Sequence, residues 1–263
     1  MSTDEKSAPA AARERPGSSP GGRALSFLKE LLIVVVGAVI VSSLLRAFVG
    51  QMFIIPSESM ESTLLRGDRV VVQKISDFDR GDVVVFRDPG GWLSDRVEER
   101  RPFDRVLEFV GVPTRSTPGH LIKRVIGLPG DTVVCCDEEN RITVNGQSLD
   151  ESSYLYVDSD EVQISPSDVR FEVVVPAGRI FVMGDHRDVS ADSRCHLSDL
   201  STSGREGEVA FVPLDNVVGP AFAVVAPFSR AGRLHTPISF AEVPASSEPA
   251  PAEAVIKPEG VSC

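Results

Sequence analysis

The stretch FIIPSESMESTL (Phe53–Leu64) places two hydroxyls, Ser57 and Ser59, just past a long apolar run, with Pro56 fixing the approach. A serine attacks an amide carbonyl at neutral pH only when a base takes its proton. Either serine fits by type, so the question becomes where the base is. The histidines are His120, His186, His196 and His235, and none belongs to an H-E-x-x-H pair. A triad of Ser59, His186 and Asp185 exists on paper, but adjacent residues in a turn rarely aim at one target. A lysine is the other candidate. Its ordinary pKa of about 10.4 must fall by about 3 units, roughly 4 kcal/mol of disfavoured charge. Burial in apolar surroundings supplies such a shift.

Lys123 sits in the middle of HLIKRVIG (His120–Gly127). Period-2 alternation puts it on one face with Leu121 and Val125. Two readings stand: a buried amine poised as a base, or an edge strand whose lysine snorkels to water. A third polar cluster, GDHRDVSADSR (Gly184–Arg194), follows the apolar RIFVM. It reads either as a solvated turn or as a scaffold that orients a base and binds substrate backbone. No phosphate loop is present, since GLPGD lacks a following Lys-Ser/Thr.

These groups must be positioned by the rest of the chain. Its 263 residues, 42% of them hydrophobic, suffice for a single large domain or for a smaller divided fold. A net charge of −11 argues against a general nucleic-acid binder. From Leu31 to Val49 the only charged residue is Arg46, near the end, where it can snorkel. As a helix this run is about 28 Å long, close to a bilayer's hydrocarbon thickness. It is apolar on every face, which disfavours a core helix. No A-x-A-like small-residue site follows it, which disfavours a cleaved leader. The expectation is an uncleaved, single-pass transmembrane anchor over 25–50. Arg13, Arg15, Arg23 and Lys29 precede the run, so the N-terminus is expected in the cytoplasm and everything after Gly50 outside.

The exported part reads as mostly β. DRVVVQKI, GDVVVFR, HLIKRVIG, RITVNG, EVVVPAGRIFVMGD, EVAFVP and VVGPAFAVV are β-branched runs bounded by turn residues. Arg-Gly-Asp occurs at Arg66–Asp68 and again at Arg80–Asp82, each read as a turn before a strand rather than an adhesion motif. Residues 1–24 and 231–263 are rich in Ala, Pro, Ser and charge and are expected as disordered tails. Trp92–Pro118 reads as a long surface loop. The four cysteines, Cys135, Cys136, Cys195 and Cys263, match no zinc spacing. Outside the cytoplasm a disulfide from Cys195 to Cys135 or Cys136 is expected, leaving the other of the adjacent pair free.

PSESMESTL, GDRVVVQK, RGDVVVF, IKRVIGLPGD, VPAGRIFVMGDHRDVSADSR and FVPLDNVVGPAF, in that order, resemble bacterial type I signal peptidase. The resemblance runs from about Leu31 to about Phe228. It implies an N-terminal transmembrane helix followed by an extracytoplasmic all-β catalytic domain at 51–230. That domain would have a β core over 51–131 and 173–228 and a small β insertion over 132–172. It implies Ser59 as nucleophile, Lys123 as general base, and Ser57 as an oxyanion donor beside the Ser59 backbone N–H. Ser190 would hydrogen-bond the lysine, Asp192 and Arg194 would form a supporting ion pair, and Arg124 would help shape the site. The implied reaction removes signal peptides from exported preproteins after small residues, at the bacterial cell membrane. No metal and no cofactor are implied. The implied partners are preprotein signal peptides and membrane lipid, near the export translocon, with the enzyme a monomer.

Three positions depart from the family pattern: Glu58, where glycine or a small polar residue is usual; Ser62, where proline is usual; and His186, where asparagine is usual. Glu58 is expected to face solvent or headgroups, and Ser62 to loosen its turn slightly. Phe53, Ile54 and Ile55 are expected to dip into the membrane interface. Two other functions compete. One is an inactive membrane-anchored β module. The other is a self-cleaving repressor-type Ser-Lys peptidase, which the anchor in place of a helix-turn-helix disfavours.

Overall fold

The computed structural model describes residues 20–48, 50–93 and 119–259. Helix α1 (Pro20–Phe48) covers the apolar run as far as Phe48, and of its described large apolar side chains, from Phe27 to Val41, all but the half-buried Val39 are exposed. Among the described residues no helix is long and apolar enough to cross a membrane. The helix begins at Pro20, so the last residues of the expected N-terminal tail are helical, and the rest of that tail lies outside the described residues.

The other described residues form thirteen strands in two antiparallel sheets. The eight-stranded sheet contains β1 (Gly50–Ile54), β2 (Arg69–Gln73), β3 (Val83–Arg87), β4 (His120–Gly127), β9 (Arg179–Met183), β10 (Val212–Pro213), β11 (Val217–Ala226) and β12 (Gly232–Arg233). Its order is β1-β2-β11-β3-β4-β9-β10, with β12 on β11. The five-stranded sheet is ordered β13-β8-β5-β6-β7, from β5 (Thr132–Cys135), β6 (Ile142–Val144), β7 (Gln147–Ser148), β8 (Arg170–Val174) and β13 (Val255–Glu259). The run EVVVPAGRIFVMGD, read as one strand, is two. Pro176 cannot donate to a ladder, Gly178 takes φ 73°, and the turn they make sends β8 and β9 into different sheets. Both Arg-Gly-Asp stretches are turns before strands, with Gly67 at φ 92° and Gly81 at φ 84°.

Register explains why β4 is central. Lys123 pairs with Val84 on one side, and its neighbour Arg124 pairs with Met183 on the other. An interior strand has no edge from which a lysine can snorkel, so the edge-strand reading of Lys123 is excluded.

Four expectations change. The C-terminal segment is not a disordered tail over the described residues 231–259. It adds β12 and β13 and buries Phe240 and Val243 in the core. Composition missed this because those few apolar residues dock singly into sites that the sheets have already formed. Phe53 and Ile55 do not dip into an interface. They are 4% and 2% exposed and pack with Met60, Leu64 and Val70, because β1 pairs with β2 and turns them inward. Cys135 bonds to its neighbour Cys136, not to Cys195. The adjacent cysteines thus pair with each other, so neither is left free. Most of the expected Trp92–Pro118 loop lies outside the described residues, but Trp92 itself is buried, edge-on to Phe86 and stacked on His196.

Candidate active site

The turn after β1 carries Ser57 and Ser59. It is pinned by the buried side chains of Met60 and Leu64 and closed by hydrogen bonds from the Glu61 N–H to the Glu58 carbonyl (2.9 Å) and from the Leu64 N–H to the Met60 carbonyl (2.7 Å). Ser59 is thereby held 4% exposed, while Ser57 and Glu58 remain exposed. The Ser57 and Ser59 hydroxyl oxygens are 3.3 Å apart.

Lys123, 64 residues further on, donates a short hydrogen bond from Nζ to Ser59 Oγ. Its side chain is 3% exposed. Burial is the main reason its pKa falls from the ordinary lysine value to about 8, opposed by the negative charges of Asp192 and Asp185 and aided by Arg194. A neutral amine in hydrogen-bond reach of a hydroxyl can take its proton, so the pair has the chemistry a nucleophile and a base require.

The GDHRDVSADSR loop is a buried scaffold rather than a solvated turn. Asp192 is fully buried and accepts from Arg194 Nε (2.9 Å), the Gly184 N–H (2.9 Å) and Ser190 Oγ (2.7 Å). Burial alone would raise its pKa. The charge and hydrogen bonds of Arg194, with the Gly184 N–H and Lys123, hold it below the usual carboxylate value. Ser190 directs its hydroxyl to Asp192, whereas the resemblance implied Lys123 as its partner. Gly184 is required by close approach: a Cβ there would collide with Ser190 Oγ and the Ser59 carbonyl. The His186 N–H donates to that same Ser59 carbonyl at 3.1 Å.

Arg124 is 1% exposed and grips Asp185 at two points, Nε to Oδ1 (2.8 Å) and Nη2 to Oδ2 (2.6 Å). Its Nη1 donates to the Gly81 carbonyl (2.6 Å). Thr63, in the turn that carries Ser59, donates to Asp185 Oδ2 (2.5 Å). Burial would lower the Arg124 pKa, but the Asp185 charge and hydrogen bonds raise it, so the guanidinium stays charged. Asp185 is thus engaged with Arg124 and Thr63. The His186 ring stacks on Tyr156 with centroids 3.7 Å apart and sets Nδ1 3.3 Å from Glu61. No Ser59–His186–Asp185 triad forms.

Sequence reasoning missed three contributors: Asp185 as the partner of Arg124, and the Arg187–Glu151 ion pair (2.5 Å), buried behind the loop. Arg187 Nε also donates to the Gly184 carbonyl at 2.7 Å. Each partner lies far along the chain or beside the second sheet, and spacing carries no signal for such a pairing. Among the departures, Ser62 does more than loosen a turn. It adopts φ 91°, which proline, locked near −65°, cannot reach.

An open groove runs beside the site, lined by Ile54, Pro56, Val85, His120 and Ile122. Among the described residues no cluster of three or more His, Cys, Asp or Glu side chains is placed to hold a metal ion.

The described domain is built on two β sheets and sets the hydroxyl of Ser59 against the buried amine of Lys123. The family model described as signal peptidase, peptidase S26 matches residues 28–226. The chain is 38% identical over 229 residues to the signal peptidase I of Mycobacterium tuberculosis, covering 79% of this chain and 75% of that one. It is 38% identical over 232 residues to a probable signal peptidase I of Mycobacterium leprae, covering 79% of each. To the signal peptidase I P of Bacillus subtilis subsp. natto it is 30% identical over 204 residues, covering 73% of this chain and 91% of that one. The chain belongs to the signal peptidase family, peptidase S26, and is a type I signal peptidase, a serine peptidase.

Proposed function

We propose that the chain removes signal peptides from exported preproteins by a Ser59–Lys123 dyad, cutting after small residues. The observation that carries this reading is the hydrogen bond between a buried Lys123 and Ser59. With a pKa of about 8, about a tenth of Lys123 is neutral at pH 7. In that form Nζ takes the Ser59 proton while Oγ attacks the scissile carbonyl. The carbonyl electrons move to oxygen, where Ser57 Oγ and the Ser59 N–H receive the oxyanion. Loss of one such donor typically costs about 10²–10³ in rate. As the intermediate collapses, the C–N bond breaks and Lys123 passes its proton to the leaving amine. A water then attacks the acyl-enzyme, with Lys123 again accepting the proton, and Ser59 is regenerated. Ser190, Asp192, Arg194 and Arg124 fix the lysine and the loop around it. The groove beside Ile54 and Ile122 accepts the extended segment of the substrate as an added strand.

The whole apolar run Leu31–Val49, counted in the sequence, supports a single-pass anchor. The basic residues before it support a cytoplasmic N-terminus and an extracytoplasmic domain. In this reading the enzyme works as a monomer at the bacterial cell membrane, beside the translocon. The lipid-facing role expected of Phe53–Ile55 passes to Phe228, which is 91% exposed. It lies two residues before Arg230, whose Nη2 contacts the Thr63 carbonyl (3.4 Å) at the nucleophile turn.

The test is cleavage of a model preprotein in detergent by wild type, Ser59→Ala and Lys123→Ala, with products mapped by mass spectrometry. Both variants are expected to be inactive, and wild-type cuts are expected after small residues. Full activity in either variant sinks the dyad.

A further inference from the structure

The family match ends at residue 226, and the structure describes a further segment that runs to Glu259. That segment is tied to both sheets. β12 pairs with β11, and Thr236 Oγ1 donates to Asp82, in the turn before β3. The Pro244 carbonyl accepts from Asn145 (2.9 Å), and Ser246 donates to the Gly130 carbonyl (2.7 Å). β13 then closes on β8 over five paired residues.

Phe240 sits midway along it and is 5% exposed. Its ring packs against Gly81 so closely that a Cβ at Gly81 would overlap it and Thr236. The same ring stacks on Tyr154, with centroids 6.0 Å apart and planes at 28°. Both neighbours hold Arg124. The Gly81 carbonyl accepts from its Nη1 at 2.6 Å, and its Cζ lies 4.3 Å over the Tyr154 ring. The Tyr154 hydroxyl is in turn fixed by Glu151 at 2.6 Å. Arg124 follows Lys123 on β4 and, through Asp185, holds Thr63 of the nucleophile turn. Phe240 lies outside the residues that the family model matches, yet it braces the side chain that joins the strand of Lys123 to the turn of Ser59.

We propose that Phe240 is a positioning residue for the peptidase reaction, acting through Tyr154 and Gly81 on Arg124 to hold Lys123 and Ser59 in register. The inference rests on the dyad reading given under Proposed function. If Phe240 were only apolar filler, its truncation would lower stability and leave turnover of the folded enzyme unchanged.

The experiment uses the full chain in detergent with a model preprotein, well below each variant's melting temperature. Phe240→Ala is expected to lower kcat about 10-fold, short of the roughly 10²-fold that a full 1 Å misplacement can cost, with KM within about twofold. It should also move the lysine-dependent limb of the pH–rate profile upward as packing around Lys123, which faces Ser59, Asp192, Asp185 and Arg194, loosens. Lys257→Ala, on the same segment but in the exposed pair with Glu172, should behave as wild type. Wild-type kcat and pH limb in folded Phe240→Ala overturn the proposal. If that variant does not fold, Phe240→Val decides, with a several-fold fall in kcat expected and wild-type kinetics overturning it. Ser59→Ala and Lys123→Ala run alongside. Activity in either sinks the dyad and this inference with it, whereas their inactivity beside a wild-type Phe240→Ala overturns the positioning role alone.

Discussion

Lys123 reaches Ser59 from the inside of a sheet: the strand that carries the amine has hydrogen-bonded neighbours on both sides, and both side chains are at most 4% exposed. The same burial that perturbs the amine also makes its protonated form costly to the fold.

The activity should therefore rise with pH through a limb near 8, where Lys123 loses its proton, and level off above it. The stability effect has a defined sign. The unfolded chain binds this proton more tightly than the folded one, so the group's contribution to stability increases with pH between about 8 and the ordinary lysine value of 10.5. Below about 8 the cost is felt in full, roughly 3 kcal/mol as an upper figure. Lys123→Met is expected to abolish cleavage and to raise the melting temperature at pH 7, with the gain shrinking by pH 10. Thermal melts of the two proteins across pH decide it. A variant no more stable than wild type at pH 7 contradicts the buried charge.

Arg124 and Asp185 are a buried, two-point pair, so removing one partner strands the other's charge. Asp185→Asn is expected to cost about 3–5 kcal/mol and to reduce activity by freeing Thr63. Arg124→Lys should also lose activity, because an ammonium cannot match both carboxylate oxygens and the Gly81 carbonyl with one planar fork. Urea unfolding and preprotein cleavage measure the two effects.

Much of this was legible in the chain. Lys123 amid Leu121 and Val125, and Ser59 after a proline at the end of an apolar run, stood out by type and position, and the structure brings the two side chains together. Local signals of turn and alternation placed most of the strands. The unread features depend on non-local partners. Asp185 gains its role from Arg124, 61 residues away. Glu151 follows the last strand of the second sheet's β5–β7 run, and Phe240 sits in a segment whose composition resembles disorder. Among the described residues of that segment, Phe240 and Val243 are the buried apolar anchors, too few to register as a pattern. Phe53 and Ile55 misled in the opposite sense, since apolar residues just after a long apolar run point to lipid until strand pairing turns them inward.

Gly184 is confined by Ser190 Oγ on one side and the Ser59 carbonyl on the other. Of these, the carbonyl belongs to the backbone of Ser59 itself and cannot rotate away. Gly184→Ala is expected to cut kcat by about 10²-fold through displacement of Ser59. Single-turnover cleavage should show the loss in the acylation step with substrate binding nearly unchanged; an unchanged acylation rate would contradict this contact.

The turn that follows Ser59 supplies the last test. Ser62 holds φ 91°, a region in which a side chain is strained, and such strain costs on the order of 1–3 kcal/mol. Glycine meets that conformation without penalty but adds unfolded-state entropy, so Ser62→Gly should change stability by no more than about 1 kcal/mol in the stabilising direction. Proline, the residue that the resemblance leads one to expect at this position, is locked near −65°. Ser62→Pro must rebuild the turn between Ser59 and Thr63, pulling Thr63 from Asp185. It should lower both the melting temperature and the cleavage rate, while Ser62→Gly keeps the rate within a few-fold of wild type. If Ser62→Pro instead proves as stable and active as wild type, the left-handed turn is not the conformation in which this chain presents its serine.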